Sequence, residues 1–255
     1  MASQDSIPKT LTVALLLCIV CSVIVSGAAV SLKPMQLANK DQDRKKNILL
    51  AAGLYDQSQT IDQQFEAIET RVVDLTTGQF VDTDPASFDQ RKAAKDPAQS
   101  KALEGGEDIA KISRRENQAL VYIVESDGRF DKIILPVHGY GLWSTLYGFI
   151  ALENDLNTVA GLGFYDHGET PGLGGEVDNP RWKAMWPGKL VYKQQTVALS
   201  LYKGAVDPKS ANAIHQVDGL SGATLTSRGV SNLLQFWLGD KGFQPFLSNL
   251  KAGEA

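Results

Sequence analysis

Hydrophobic and polar positions divide the chain into an uninterrupted apolar run, a polar region and a C-terminal half with strand-like alternation. The run over residues 11–32 contains no charged residue. A helix over it would span roughly 33 Å at about 1.5 Å per residue, enough to cross the hydrocarbon core of a bilayer. A cleaved signal peptide is the alternative, although its apolar core is usually only about 7–15 residues long. We therefore predict an uncleaved transmembrane anchor over residues 11–32, preceded by a short tail over residues 1–10.

Basic residues are unevenly distributed around this run. Only Lys9 and the N-terminus precede it, and several basic residues follow it: Lys33, Lys40, Arg44, Lys45 and Lys46. The positive-inside rule would keep the following domain in the cytoplasm, but the rule weakens when a long domain follows the span. Charge alone therefore leaves the orientation open.

Residues 33–118 have a polar pattern that predicts a membrane-proximal helical and surface region. A charged helix is predicted after the anchor, with Gly53 as its C-cap. Few large apolar residues occur between Asp84 and Glu116, which predicts a partly helical surface excursion. Between these segments, Thr60 begins a second helical pattern with apolar residues three or four positions apart: Ile61, Phe65, Ile68 and Val72.

The pattern changes at residue 119, from which we predict a β-rich core that extends to residue 255. Two apolar runs flank Asp127-Gly128 and predict a hairpin. The predicted fold class is α+β, with a single N-terminal transmembrane helix followed by a soluble mixed α/β domain. Further elements are predicted in the core: strands over 146–153 and 158–166, a strand pair or one bent strand over 191–203, a short helix over 179–186 and a last helix over about 226–238.

Composition is typical of a globular protein and narrows the choice of partners. The chain has 255 residues, of which 43% are hydrophobic and 21% are charged, so it is not a disordered chain. Its formal net charge is -4. Because nucleic-acid-binding domains carry a basic surface, we expect no nucleic-acid partner.

The two cysteines have a C-x-x-C spacing, which would indicate metal or redox chemistry in a soluble setting, whereas the histidines lack a metal-ligand spacing. Cys18 and Cys21 both lie in the apolar run, where two small apolar side chains are the favoured interpretation. Because they share a helix face, a cluster ligand between neighbouring subunits is the alternative. The histidines are scattered through the rest of the chain, at His138, His167 and His215. We therefore predict no metal site, and disulfides give no information about the compartment.

Three glycine-rich segments each join a strand-like run to the next element: residues 137–147, 166–176 and 217–229. Glycine lets the backbone approach a ligand closely and adopt positive φ. Three such segments in one half of the chain predict a shared site, against the alternative of three ordinary turns. None of them matches a P-loop or a dinucleotide-binding fingerprint, and the nearest approach to a nucleophile elbow ends in Ala223 where Gly is needed.

The third segment carries a run of small and hydroxyl residues, Ser221 to Ser227, at the start of the last predicted helix. Hydroxyls and free N–H groups at a helix N-terminus can bind an anion such as phosphate. Ser and Thr are also the preferred residues at an ordinary helix N-cap. Local physical chemistry alone favours the cap.

The sequence around this run resembles the motif that FAD-dependent FMN transferases modify. That motif reads Asp, two variable residues, Ser or Thr, Gly, Ala and Thr. It is matched here without departure by Asp218, Ser221, Gly222, Ala223 and Thr224. The resemblance implies that Thr224 carries FMN through a phosphoester, and that the last domain is an FMN-binding domain. The hydroxyl of Thr224 would attack the FMN phosphorus of FAD, and AMP would leave.

Two further segments, GYGLWSTLYGFIAL and HGETPGLGGEVDNPRWKAMWPGK, resemble the C subunits of the Na⁺-translocating NADH:quinone reductases. The resemblance extends over essentially the whole chain. It implies an electron-transfer subunit of a redox-driven sodium pump, which is not catalytic alone. Its partners would be the other subunits of the complex and the transferase. The G subunit of the Rnf ferredoxin:NAD⁺ complex and a non-redox anchored binding module are the alternatives.

The same resemblance implies a single-pass protein of the bacterial inner membrane whose soluble domain is periplasmic. The basic residues that follow the anchor depart from the simple charge rule for that orientation. No residue of the chain need act as a general acid or base, because the flavin supplies the redox chemistry. Besides the motif, the residues expected near the flavin are Glu169 and Thr170 as hydrogen-bond partners, Leu173 over a ring face, Trp143 beside the site, and Leu225 and Thr226 next to Thr224. Each of the flanking residues could equally stabilise the fold.

Overall fold

A computed structural model describes residues 6–255. They divide into two compact units, with the boundary between Asp43 and Arg44. Helix α1, Ile7–Ala52, begins in the first unit and ends in the second. It is the one helix among the described residues that is long and apolar enough to cross a membrane. The predicted anchor lies within it, whereas the first five residues of the predicted tail lie outside the described residues.

The C-terminal end of α1 belongs to the folded second unit. Ile48 and Leu49 are fully buried there. The helix stops at Gly53, whose φ of 70° is left-handed, and the N–H of Leu54 donates to the carbonyl of Leu49 over 2.9 Å. The predicted C-cap at Gly53 is therefore confirmed.

The second unit contains short helices and twelve strands around one antiparallel sheet. The helices are α2 Ile61–Phe65, α3 Gln90–Ala93, α4 Pro180–Lys183, α5 Thr224–Trp237 and α6 Gln244–Ala252. Short 3-10 helices cover Gly105–Glu107, Gly174–Asp178 and Ala213–His215. The strands are β1 Ile68–Asp74, β2 Gln79–Val81, β3 Ser100–Ala102, β4 Arg114–Glu116, β5 Gln118–Ser126, β6 Arg129–Tyr140, β7 Thr145–Glu153, β8 Val159–Asp166, β9 Tyr192–Lys193, β10 Thr196–Val197, β11 Ser200–Tyr202 and β12 Gln216–Asp218.

The six strands of the sheet run in the order β2-β1-β5-β6-β7-β8, and every neighbouring pair is antiparallel. The predicted hairpin is β5–β6, and its turn places both Asp127 and Gly128 at positive φ, as a type I′ turn requires. The predicted strands over 146–153 and 158–166 are β7 and β8. The mixed α+β class with an N-terminal apolar helix is confirmed.

Each face of the sheet buries its own apolar cluster. The C-terminal end of α1 packs with Ile68, Leu120 and Phe149 on one face. Helix α5 contributes Val230, Leu233, Leu234 and Trp237 to the larger cluster on the other face.

Helix α5 lies in direct contact with the backbone of β6. A Cβ on Gly229 would overlap the carbonyl oxygen of Tyr140, so glycine is required for the helix to come this close. The indole N–H of Trp237 donates to the carbonyl of His138 over 2.6 Å. The second turn and the C-terminal end of α5 are therefore both in contact with β6.

The predicted helix that begins after Thr60 is wrong beyond Phe65. Thr60 does cap a helix, with a reciprocal capping box to Gln63, but that helix is α2 and has only five residues. Ile68–Asp74 forms strand β1, which pairs with β5 along its whole length. Pairing with a neighbouring strand outweighs the local helical spacing, because it also buries Val72 and Val73 on opposite faces.

Two corrections concern the C-terminus. The last predicted helix begins two residues earlier than expected, at Thr224, and ends at Trp237. A further helix, α6, follows it and ends at Gly253, which has a left-handed φ of 74°. Within residues 191–203, β9 and β10 form the strand pair that is one of the two alternatives, and β11 pairs with β12 instead. Helix α4 lies inside the short helix predicted over 179–186.

The surface excursion that contains α3 ends in a buried carboxyl group on β4. Glu116 is fully buried, and the side-chain amide of Gln90 on α3 donates to its Oε1 over 2.6 Å. Its Oε2 has no hydrogen-bond partner in the described structure. Burial raises the pKa of Glu116 from 4.5 to about 7.

This raised pKa predicts that stability falls as the pH rises from about 5 to about 7. In that window folded Glu116 keeps its proton and the unfolded chain has lost it, so the folded state binds more protons. The total loss is about 3 kcal/mol. A Glu116→Gln variant should lose this slope and unfold at higher temperature than the wild type at pH ~8. Equal slopes in Glu116→Gln and in the exposed control Glu125→Gln, measured by thermal unfolding in detergent, would contradict it.

Candidate functional site

The first two glycine-rich segments meet because the sheet register brings them to the same edge. The first contains the turn between β6 and β7, where Tyr140 pairs with Thr145. The second follows β8, whose last residue Asp166 pairs with Tyr147 of β7. Both loops therefore start from one end of neighbouring antiparallel strands.

Glu169 joins these two loops. It is only 5% exposed, and its Oε1 accepts hydrogen bonds from the backbone N–H groups of Leu142 and Trp143, each over 3.0 Å, and of Ser144 over 3.4 Å. In return, the Ser144 hydroxyl accepts a bond of 2.6 Å from the N–H of Gly168. The carboxylate thus holds the turn after β6 against the loop after β8.

The third segment joins the same carboxylate. The hydroxyl of Thr226, in the first turn of α5, donates to Glu169 Oε2 over 2.6 Å. Gly222 has a left-handed φ of 72°, and a Cβ there would lie 2.9 Å from Leu173. The structure therefore brings all three glycine-rich segments together, as the sequence predicts.

The pKa of Glu169 reflects this arrangement. Burial alone would raise the pKa, but the bonds that Glu169 accepts from Thr226 and from three backbone N–H groups outweigh it and hold the pKa below its ordinary value. Glu169 is therefore a buried anion at neutral pH. Both of its oxygens are already used inside the protein, so its evident role is to position the loops.

The N-terminus of α5 lacks a side-chain cap. Its N-cap residue is Ala223, with no side-chain hydrogen bond, and Thr224 is the first helical residue. The first N–H of this region with an intrahelical partner is that of Ser227, which donates to Ala223. The expected hydroxyl cap is therefore not what the structure shows, and the first turn keeps free N–H groups beside the exposed side chain of Thr224.

Two hydroxyls of the run serve the loop itself. The Ser227 hydroxyl donates to the carbonyl of Ala223 over 3.0 Å and accepts from the N–H of Leu220 over 2.9 Å. Thr226 is fully buried at Glu169. The exposed hydroxyls of the run are those of Ser221 and Thr224.

Asp218 anchors the start of the same loop. Its Oδ1 accepts from the N–H of Val206 over 2.8 Å, and its carbonyl accepts from the indole N–H of Trp182 on α4 over 2.9 Å. It ends β12, which runs parallel to β11. The motif's acidic residue therefore shapes the loop and does not reach toward Thr224 through a hydrogen bond in the described structure.

Apolar side chains project from these loops into solvent. Trp143 is 65% exposed, Leu225 is 53% exposed and Leu173 is 45% exposed. Thr170 is also exposed, while its carbonyl accepts from the N–H groups of Leu173 and Gly175. An exposed hydroxyl, an uncapped helix start and exposed apolar side chains on neighbouring loops together suit a phosphate that carries a flat aromatic group.

The interaction between His167 and Asp178 is not predicted from the sequence, in which His167 is considered only as a possible metal ligand. His167 Nε2 lies 2.8 Å from Asp178 Oδ2, and its Nδ1 accepts from the N–H of Glu169 over 3.2 Å. The hydrogen bond to Asp178 raises the pKa of His167 above its ordinary value. This pair connects the loop that carries Glu169 to the 3-10 helix Gly174–Asp178.

Comparison with known proteins gives concordant results. A family described as the FMN-binding domain matches residues 141–239, which contain most of the three glycine-rich segments. The C subunit of the Na(+)-translocating NADH-quinone reductase from Pseudomonas aeruginosa is 59% identical over the whole of both chains. The corresponding subunit from Vibrio vulnificus is 51% identical over 99% of each chain.

Solved structures agree with these sequence relatives. A crystal structure of NqrC from Shewanella oneidensis superposes with a TM-score of 0.78 at 39% identity, covering 84% of this chain and 99% of that one. The C subunit of the Na(+)-translocating NADH-quinone reductase from Parabacteroides distasonis gives a TM-score of 0.66 at 30% identity, covering 85% and 97%.

Proposed function

Since the chain belongs to the family of the C subunits of Na(+)-translocating NADH-quinone reductase, we propose that it carries FMN covalently, through a phosphoester to Oγ1 of Thr224. The main support for this proposal is the position of Thr224. It is the exposed first residue of α5, and no side chain caps that helix. The full motif from Asp218 to Thr224 surrounds it.

Attachment requires only an accessible hydroxyl from this chain. Oγ1 of Thr224 forms a bond to the FMN phosphorus of FAD, the bond between that phosphorus and AMP breaks, and the hydroxyl proton passes to a base of the transferase. A hydroxyl is a weak nucleophile, so activation is the transferase's task. Gly222 and Ala223 leave the approach free of bulky side chains.

After attachment, the first turn of α5 is suited to hold the phosphate. The free N–H groups of Thr224, Leu225 and Thr226 lie at the positive end of the helix dipole, where an anion is stabilised. Ser221 is the remaining exposed hydroxyl of the motif that can donate to it.

Flavin, when bound, supplies one- and two-electron redox chemistry. The chain provides its surroundings: Trp143, Leu173 and Leu225 present apolar surface to a ring, and Thr170 presents an exposed hydroxyl. Glu169, Thr226 and Asp218 would act indirectly on the flavin, because their hydrogen bonds hold the three glycine-rich segments in place.

The proposed setting is the inner membrane of a bacterium, with α1 as a single anchor and the soluble unit in the periplasm. The other subunits of the redox complex are the electron donor and acceptor, and an FAD-dependent FMN transferase is the maturation partner. An Rnf-type role is not favoured. The relatives from Pseudomonas aeruginosa and Vibrio vulnificus are quinone-reductase C subunits, and they match this chain over essentially their full length.

The direct test is expression of the full chain with and without a transferase. We expect a band that fluoresces under ultraviolet light after denaturing electrophoresis, only when the transferase is present, and an FMN-modified peptide that contains Thr224. A colourless chain after co-expression would favour the non-redox binding module. Co-purification with ferredoxin-linked rather than NADH-to-quinone activity would favour the Rnf-type role.

A further inference from the structure

Arg228 lies near the N-terminus of α5 without a charged partner among the described residues. It is the one charged residue between Thr224 and Trp237, and it lies in the second turn of the helix. It is exposed, and no hydrogen bond or ion pair of its side chain occurs within the described residues. Cations are stabilised near helix C-termini and destabilised near N-termini. An anion at the start of α5 would therefore give this arginine a partner of opposite charge.

Arg228 and Thr224 share one face of the helix. Residues four positions apart lie one above the other, and helical side chains lean toward the N-terminus. A guanidinium at this position is therefore within reach of a group carried on Thr224. No acidic residue in α5 competes for the guanidinium.

We infer that Arg228 binds the phosphoryl group that joins FMN to Thr224, and so acts as a positioning residue for the cofactor. The inference rests on the proposed function. A phosphodiester has two free oxygens and one negative charge. The N–H groups of the first turn can bind one oxygen and the planar guanidinium the other. Holding both oxygens fixes rotation about the new phosphoester, and with it the direction in which the flavin leaves the helix.

The sign of the helix-dipole effect provides a sharp test. Without a phosphate, Arg228→Gln removes a misplaced cation and should leave the melting temperature unchanged or raise it. With FMN attached, the same change removes a counter-charge and should lower the melting temperature by roughly 2 °C. The four proteins are full-length wild type, Arg228→Gln, Thr224→Val and the double variant, all co-expressed with the transferase and melted in detergent. Arg181→Gln, at an exposed arginine of α4, is the matched control.

Phosphorus and nitrogen resonances provide the second readout. In flavinylated wild-type protein, the Arg228 Nε–H signal should be protected from exchange, and it should be lost in Thr224→Val. The ³¹P resonance should move in Arg228→Gln but not in Arg181→Gln, while the flavin midpoint potential stays unchanged in both.

Each of the following outcomes would contradict the proposed role of Arg228. The same change in melting temperature in both backgrounds would make Arg228 an ordinary surface charge and overturn the inference. A shifted midpoint potential with an unmoved ³¹P resonance would place Arg228 at the flavin ring and also overturn it. In both cases the proposed function would still stand, because FMN would still be found on Thr224. Wild-type protein without FMN at Thr224 would overturn both.

Discussion

A Thr224→Val variant, co-expressed with the transferase, is expected to be colourless and to show no fluorescent band after denaturing electrophoresis. Valine has the shape of threonine but lacks the hydroxyl that would form the phosphoester. Thr224 is exposed and uncapped at the start of α5, and its hydroxyl makes no hydrogen bond within residues 6–255. The variant should therefore unfold with the same free energy as unmodified wild-type protein, within about 0.5 kcal/mol.

Two matched variants separate attachment from folding. Thr224→Ser keeps a hydroxyl at the same position and should keep the fluorescent band. Thr170→Val removes an exposed threonine hydroxyl from a neighbouring loop and should also keep it. A fluorescent Thr224→Val band would assign the flavin to another residue, and peptide mass analysis would identify which one.

Glu169→Ala is expected to destabilise the soluble unit by about 3–5 kcal/mol and to reduce flavinylation of Thr224 sharply. The change leaves the N–H groups of Leu142 and Trp143 and the buried hydroxyl of Thr226 without their shared acceptor. Hydrogen bonds to charged groups contribute about 1.5–3 kcal/mol each, and water can replace only part of this network. Chemical unfolding in detergent measures the first effect, and fluorescence per folded chain measures the second.

The acid side of the stability curve gives an independent check on Glu169. Its folded pKa is below its ordinary value, so its contribution is present above the unfolded pKa of about 4.3 and is lost as the pH falls through the folded pKa. A Glu169→Gln variant cannot lose a charge and should lack this component. Glu176→Gln, at a carboxylate of the same loop that accepts one bond from Asn179, is the control. Equal losses in both variants would exclude a special role for Glu169.

Elements with a complete local signal could be predicted from the sequence. The β5–β6 hairpin follows from Asp127-Gly128 between two apolar runs, because few other residues accept positive φ at both turn positions. The end of α1 at Gly53 follows from the same conformational freedom. The convergence of three glycine-rich segments could be predicted from their number, although no single one of them shows it.

What could not be predicted depends on partners distant in the sequence. Ile68–Asp74 has helical spacing, yet it pairs with β5, which lies far along the chain. The role of Glu169 depends on Trp143 in another loop and on Thr226 in the first turn of α5. Helix α6 has a proline in its first turn and an apolar face of only a few residues, so its pattern is visible only once Phe246 packs against Phe80.

The contact between α5 and β6 has a consequence for anything carried on Thr224. Gly229 places the helix on the backbone of Tyr140, and Trp237 ties its far end to His138. Helix α5 is therefore fixed against the sheet and cannot move independently of it. The hydroxyl of Thr224 would therefore keep a constant position relative to the sheet, and a flavin attached there would turn only about the bonds of its own linkage. A change in electron-tunnelling distance to another redox centre would then come from rotation about those bonds or from displacement of the Arg44–Ala255 unit as a whole.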